Sequence, residues 1–176
     1  MTLYIRLICV IIKSFFCKRI PWLGTSSLIF MVWPWDCDIN FHLNNARYLS
    51  FMDLARTFWG SQTGLSQATL KNRWNGVAAA SETIFIRPLN PFQVFRIETK
   101  LIYWDEFYAY FEQRFVSKKG LHASALIKAV ILSKGKKIPV EKVLKAMKVD
   151  INSPSKPQTI ECWQALTQAK KSAKAD

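Results

Sequence analysis

The stretch WDCDINFHLNNARYLSFMDLAR, residues 35–56, sets two aspartates one residue apart, then His42 and the pair Asn44–Asn45, directly ahead of an amphipathic run. Asn44 or Asn45 makes a good N-cap, because an Asn side-chain oxygen accepts from the free amides of a helix's first turn. Tyr48, Phe51, Met52, Ala55 and Phe58/Trp59 then recur at helical spacing on one face. A helix is predicted over 45–59, with Gly60 and Gly64 punctuating its end. A polar cluster in front of such a helix has two readings. One is a solvated loop; the other is an active site that uses the positive end of the helix dipole.

Outward from this stretch, LIFMVWPW (28–35) reads as a short strand ended by Pro34. Beyond the helix lies a loop with Lys71, Asn72, Arg73 and Asn75-Gly76, followed by four strand-like runs at about 77–87, 93–104, 107–117 and 121–133. Alternation is clearest in the second run, where Phe95, Ile97, Thr99, Leu101 and Tyr103 share one side. The links between runs (88–91, 105–106 and 118–120) are short, which predicts antiparallel meander pairing. Ala123, Ala125, Ile127 and Ala129 give the last run one small apolar face, and small side chains let a helix approach a sheet closely. The economical packing is an α+β domain in which a curved antiparallel sheet wraps round the 45–59 helix, the hotdog arrangement. Three segments are expected: an N-terminal amphipathic helix over 1–22, the domain over 23–150, and a flexible basic tail over 151–176.

The chain has 176 residues, half of them apolar, which suits one domain with a real core. Its 25 basic against 12 acidic residues leave a net charge of +13. Such a field attracts nucleic acid, acidic membrane surfaces or the phosphates of a nucleotide-bearing substrate. No nucleic-acid motif or aromatic stacking platform supports the first. Cys9, Cys17, Cys37 and Cys162 lie far apart with no metal-ligand spacing, so no metal and no cofactor is expected, and free thiols fit a cytoplasmic protein. In the N-terminal MTLYIRLICVIIKSFFCKRI, Arg6 and Lys13 interrupt the apolar run too early for a membrane span. Thr2, Arg6, Cys9, Lys13 and Cys17 instead form one polar stripe on a helix that is otherwise apolar. That pattern suits a helix lying in the interface of an anionic membrane, peripheral on its inner face, with Lys18 and Arg19 reaching for lipid phosphates. Packing on the domain's own core or on a partner chain is the other reading.

Asp38-(x)3-His42-Leu43-Asn44-Asn45-Ala46-Arg47-Tyr48-Leu49 resembles the D-x-x-G-H-x-N-N-x-x-Y-L pattern of the hotdog-fold acyl-CoA thioesterases, among them the 4-hydroxybenzoyl-CoA thioesterase-like enzymes. The likeness is closer to a thioesterase-like subgroup with a hydrophobic basic N-terminus. It runs on through Val32-Trp33-Pro34, Arg87-Pro88-Leu89-Asn90-Pro91-Phe92, Trp104-Asp105-Glu106, Glu112-Gln113-Arg114-Phe115-Val116 and His122-Ala123. The resemblance implies acyl-CoA hydrolysis by a homodimer, or a dimer of dimers, with sites at the subunit interface. It puts Asp38 at the catalytic aspartate position and the amides around Phe41 to Asn45 at the active-site turn. Phe41 stands where the pattern carries a glycine, which serves close backbone approach or a positive φ, and Phe is expected to supply neither.

The chemistry fits these residue types. A carboxylate attacks a thioester directly or takes a proton from water, and free amides at a helix N-terminus receive the developing oxyanion. Asp38 is the candidate carboxylate, with Asn44 and Asn45 orienting the carbonyl or a water, or capping the helix. Phe41, His42, Glu82, Arg73 and Arg87 are candidates for holding substrate, Glu82 from a second protomer and the arginines through coenzyme A phosphates. Asp36 reads as structural, bonded to nearby backbone, and Asp53 with Arg56 as a local ion pair. The competing function is a non-catalytic acyl- or lipid-binding module at a membrane surface, favoured by Phe41 and by the N-terminal helix.

Overall fold

The computed structural model describes residues 3–172. In chain order they form α1 (Leu3–Phe15), β1 (Ser26–Met31), a 3-10 turn (Pro34–Asp36), α2 (Asn45–Thr63), α3 (Leu65–Asn72) and β2 (Asn75–Phe85). There follow β3 (Val94–Trp104), β4 (Tyr108–Ser117), β5 (Gly120–Ser133), the two-residue β6 (Lys136–Lys137), α4 (Val140–Met147) and α5 (Gln158–Ser172). All strand pairs are antiparallel, in the order β1-β3-β4-β5-β2, with β6 added to the end of β5.

The sheet curls round α2, and aromatic side chains make the contact. Phe51 stands edge-on to Phe30 of β1 and Phe95 of β3, at 5.0 and 5.4 Å between centroids. Tyr48 meets Phe115 of β4 at 4.8 Å and Phe85 of β2 at 4.9 Å. Trp59 meets Phe111 of β4 at 5.0 Å. From β5 the same core receives Ala123, Ala125 and Ile127, with Ala129 partly buried against it. Each large side chain buried here contributes about 1.5–3 kcal/mol, so the helix is held by its apolar face. One polar network joins in: the buried Gln113 donates from Nε2 to the Met52 carbonyl of α2 (3.1 Å) and to Thr99 (2.9 Å), and accepts from Arg56 at 2.6 Å.

The helix runs four residues past its predicted end. Gly60 is interior to it, and a Cβ there would stand 3.0 Å from Ser66 Oγ, so this glycine serves the close approach of α3. Gly64, at φ 90°, is the true C-cap.

Three expectations need correction. First, the link 88–93 is not a hairpin, because β2 pairs with β5 and β3 lies between β1 and β4. Pro88 and Pro91 lack the amides a hairpin would use, and the segment crosses the end of the sheet instead. It is pinned there by Leu43 N–H to the Leu89 carbonyl (2.8 Å), by Phe92 N–H to the Val32 carbonyl (2.7 Å), and by the buried His122. A carbonyl can only accept, so His122 Nδ1 carries the proton it gives to Pro88 O at 3.0 Å, and Nε2 accepts from Ser117 at 2.7 Å.

Second, residues 158–172 are a docked helix rather than a tail: Ile160 is fully buried, and Gln164 donates to the Tyr110 hydroxyl at 2.6 Å. Residues 173–176 of the expected tail lie outside the described residues. Third, α1 packs on the domain, the second of its two readings, and turns Arg6 of its polar stripe inward while Cys9 and Lys13 stay exposed. Arg6 and Val10 are buried and Cys17 packs on the core, while Lys13 lies 5.8 Å over the Phe58 ring. Thr2 of that stripe lies outside the described residues. Among them no helix is long and apolar enough to cross a membrane.

The N-cap of α2 is Asn44, whose Oδ1 accepts the Ala46 N–H at 2.9 Å, and Asn45 is the exposed first helical residue. Asn44→Ala is expected to cost about 1 kcal/mol of unfolding free energy. Asn45→Ala should stay within a few tenths of zero, since Ala is the better helix former. Urea titration of both variants checks this; equal losses would contradict the cap assignment.

Candidate active site

The site is built on Asp36, the last residue of the 3-10 turn. Its carboxylate is fully buried and accepts both Nη groups of Arg6 from α1, at 2.8 and 2.5 Å, and the Trp33 N–H at 3.0 Å. Arg47 Nε of α2 stands 3.9 Å away. The backbone carbonyl of Asp36 accepts the N–H of Asn44 at 2.9 Å. Asp36 is thus structural, as its sequence context suggests, but its main partner is an arginine thirty positions earlier.

From this post hangs a tight hairpin. Cys37 and Leu43 form an isolated antiparallel bridge, Asp38 N–H donates to the His42 carbonyl (3.1 Å), and Phe41 N–H donates to the Asp38 carbonyl (3.1 Å). This is a three-residue loop, 39–41, whose last position takes left-handed backbone, the place where glycine is favoured. Phe41 sits there at φ 55°, so it does supply the positive φ that sequence reading denied it. A non-glycine residue in that region costs about 1–2 kcal/mol, and the exposed Phe41 ring recovers little by burial.

The hairpin sets Asp38 beside His42. Asp38 Oδ1 accepts the Asn40 N–H at 2.9 Å and lies 3.7 Å from His42 Nδ1. Both side chains are partly open to solvent. The N–H groups of His42 and Asn45 make no hydrogen bond among the described residues. A carboxylate and an imidazole therefore stand together just ahead of α2, and two free amides lie in the same short stretch of chain. Between the two aspartates, burial pushes the Cys37 thiol up from its ordinary value, and the charges of Asp36 and Asp38 push it further. One turn into α2, burial raises the Tyr48 phenol to about 12.

The other candidates are not gathered here. Phe85 and Thr83 of β2 share the side that meets Tyr48, so Glu82 looks to the opposite face of the sheet. Arg87 is exposed and bonds the Lys119 carbonyl. Arg73 caps α3 just ahead of β2, whose length of about 33 Å separates it from the Phe85 end. Asp53 and Arg56 form the expected local ion pair. They border a cavity of about 570 Å³ between α2, the sheet and α4, lined chiefly by apolar groups including Trp59, Phe111, Ile131 and Val143. Its nearest α2 residue, Asp53, follows Asn45 by eight positions, about 12 Å of helix. Among the described residues no three His, Cys, Asp or Glu side chains are grouped to hold a metal ion.

The model of the thioesterase-like superfamily matches residues 32–147, from just after β1 to the end of α4. The chain belongs to that superfamily. Its relatives include Protein THEM6 of Drosophila melanogaster, 34% identical over 124 residues, which cover 69% of this chain and 62% of that protein. The chain thus spans less than two thirds of the length of that relative. Among solved structures, YbaW, a probable thioesterase from Escherichia coli, superposes with a TM-score of 0.63 at 22% identity, over 69% of this chain and 96% of its own. Slr0204, a 1,4-dihydroxy-2-naphthoyl-CoA thioesterase from Synechocystis, gives 0.60 at 16% identity, over 74% and 100%. These likenesses establish the hotdog fold of a thioesterase-superfamily chain.

Arg6 is the site-supporting residue that sequence reading missed, and only its charge inside an apolar helix signalled it. The Cys37 thiol gives a direct probe of the loop's charges. At about pH 8 it should be alkylated more slowly than the exposed Cys9 and Cys162, because the thiolate is the reactive form. Asp38→Asn removes one of the raising charges and should speed that reaction. An unchanged Cys37 rate, followed by mass spectrometry, would contradict the placement of Asp38.

Proposed function

We infer that this chain hydrolyses acyl-CoA thioesters to a free acid and coenzyme A, with Asp38 as base or nucleophile. The observation that carries the reading is the Asp38 carboxylate, held beside His42 and the free amides at the N-terminus of α2. Acting as base, Asp38 takes a proton from water as the oxygen attacks the thioester carbon. The oxyanion is received by the N–H groups of His42 and Asn45, and the intermediate collapses by breaking the C–S bond. The departing thiolate takes up the proton. Acting as nucleophile, Asp38 forms a mixed anhydride with loss of the thiol, and water then opens it. The apolar cavity along α2 suits an acyl chain, within the 300–1,000 Å³ range typical of ligand pockets.

The reading includes a homodimer. Among the described residues β2 pairs only with β5, which leaves its outer edge open to a second strand. Antiparallel pairing of two β2 strands about Ala80 would set Arg73 of one copy opposite Arg87 of the other, bringing two cations together for the coenzyme A phosphates. It also includes peripheral attachment to an anionic membrane surface. A non-catalytic acyl-binding module is the second reading, and Phe41 at the glycine position is what favours it.

A hydrolysis screen over acyl-CoA chain lengths, read by free thiol, tests the function. Asp38→Asn should lower turnover by about 10²–10⁴-fold with little change in acyl-CoA binding. Equal rates for Asp38→Asn and wild type would end the catalytic assignment. Binding without hydrolysis at every chain length would favour the binding module. Phe41→Gly should hold or raise activity, since it keeps the left-handed turn and relieves its strain.

A further inference from the structure

α1 is an inside-out amphipathic helix. Its arginine points into the domain, while Tyr4, Ile5, Ile8, Ile11, Ile12 and Phe15 are exposed, Tyr4 at 76% and Phe15 at 79%. Phe16, just after the helix, is 85% exposed. In water such a contiguous face is unfavourable, and a free 13-residue helix is marginal by itself. Three observations say what covers it. First, the residues flanking the face are cationic: Lys13 and Lys18 are exposed, in a chain of net charge +13. Second, Trp35, next to Asp36, is 48% exposed and stacks on Trp33 at 5.1 Å, and indole rings of this kind favour a lipid–water boundary. Third, Arg6 also reaches the Met31 carbonyl at the end of β1, and β1 is the edge of the sheet opposite β2. A second copy paired through β2 therefore leaves this face bare.

We propose that the outward face of α1 docks flat on an anionic lipid bilayer, and that the Arg6–Asp36 ion pair couples this docking to the order of the Asp38 hairpin. The coupling follows from electrostatics. Arg6 is inseparable from α1, and Asp36 holds the hairpin and the Asn44 cap. When α1 lifts or frays, the buried Asp36 carboxylate loses its counter-ion, and the loop must open to hydrate it. Lipid holds α1 helical and in place, so the loop stays closed. This deepens the reading of peripheral attachment and is independent of hydrolysis.

The test uses the full chain with phosphatidylcholine–phosphatidylserine vesicles. Sedimentation should show wild type bound. The double variant Ile8→Asp/Ile12→Asp should lose at least about tenfold in affinity with its thermal midpoint unchanged. Wild type failing to bind would overturn the attachment and the docking face together. Wild type and variant binding equally would leave attachment standing and overturn the face. If the variant instead dissolves a wild-type dimer on gel filtration without lipid, the face belongs to a second copy and the proposal falls. Amide exchange reads the coupling: vesicles should slow exchange over residues 36–45 of wild type as well as over α1. Protection confined to α1 would overturn it.

Discussion

A buried carboxylate at position 36 organises one end of this molecule. Taking an ion out of water costs several kcal/mol, which only a well-placed counter-charge and hydrogen bonds offset. Arg6 supplies the charge through two short contacts, and the Trp33 amide completes the set. Because these groups come from α1 and from the turn before α2, one requirement ties three elements together. The Asp36 backbone carries the effect onward, since its carbonyl accepts the Asn44 amide and so fixes where α2 begins. Asp38 lies two residues beyond, at the base of the hairpin that this end of the molecule supports.

The remainder of the fold serves to aim that helix. Aromatic rings from four strands grip α2 along its length, and the small residues of β5 let the sheet close over it. The dipole of α2 then has a fixed address, at the hairpin. Gln113, deep in the sheet, locks the middle of the helix by its carbonyl at Met52 and by Arg56. The proposed thioester hydrolysis needs such rigidity, because an oxyanion donor displaced by an ångström loses most of its effect.

What the sequence disclosed was periodic or local. The spacing of Tyr48, Phe51, Met52 and Ala55 announced α2, and the alternation from Phe95 to Leu101 announced β3 and its inward face, as burial bears out. The Asn cap and the Asp53–Arg56 pair were equally plain, since each is settled within one helical turn. What it hid was long-range. Pro88 and Pro91 weaken a hairpin but do not by themselves show where the segment goes; the partners that decide it, Leu43, Val32 and His122, lie far off in the chain. Arg6 reads as part of a polar stripe because helical periodicity cannot show which side holds a buried aspartate. Phe41 misled for another reason: residue preference argued against positive φ, but the hairpin hydrogen bonds on either side of it impose that geometry.

The most direct measurement of this account is a double-mutant cycle on stability between Arg6 and Asp36. Arg6→Met and Asp36→Leu should each cost about 3–5 kcal/mol, because each strands a charge, while the double variant should cost much less than their sum. Additive losses would mean that the two side chains act independently, and that the hairpin bearing Asp38 is held by something other than this ion pair.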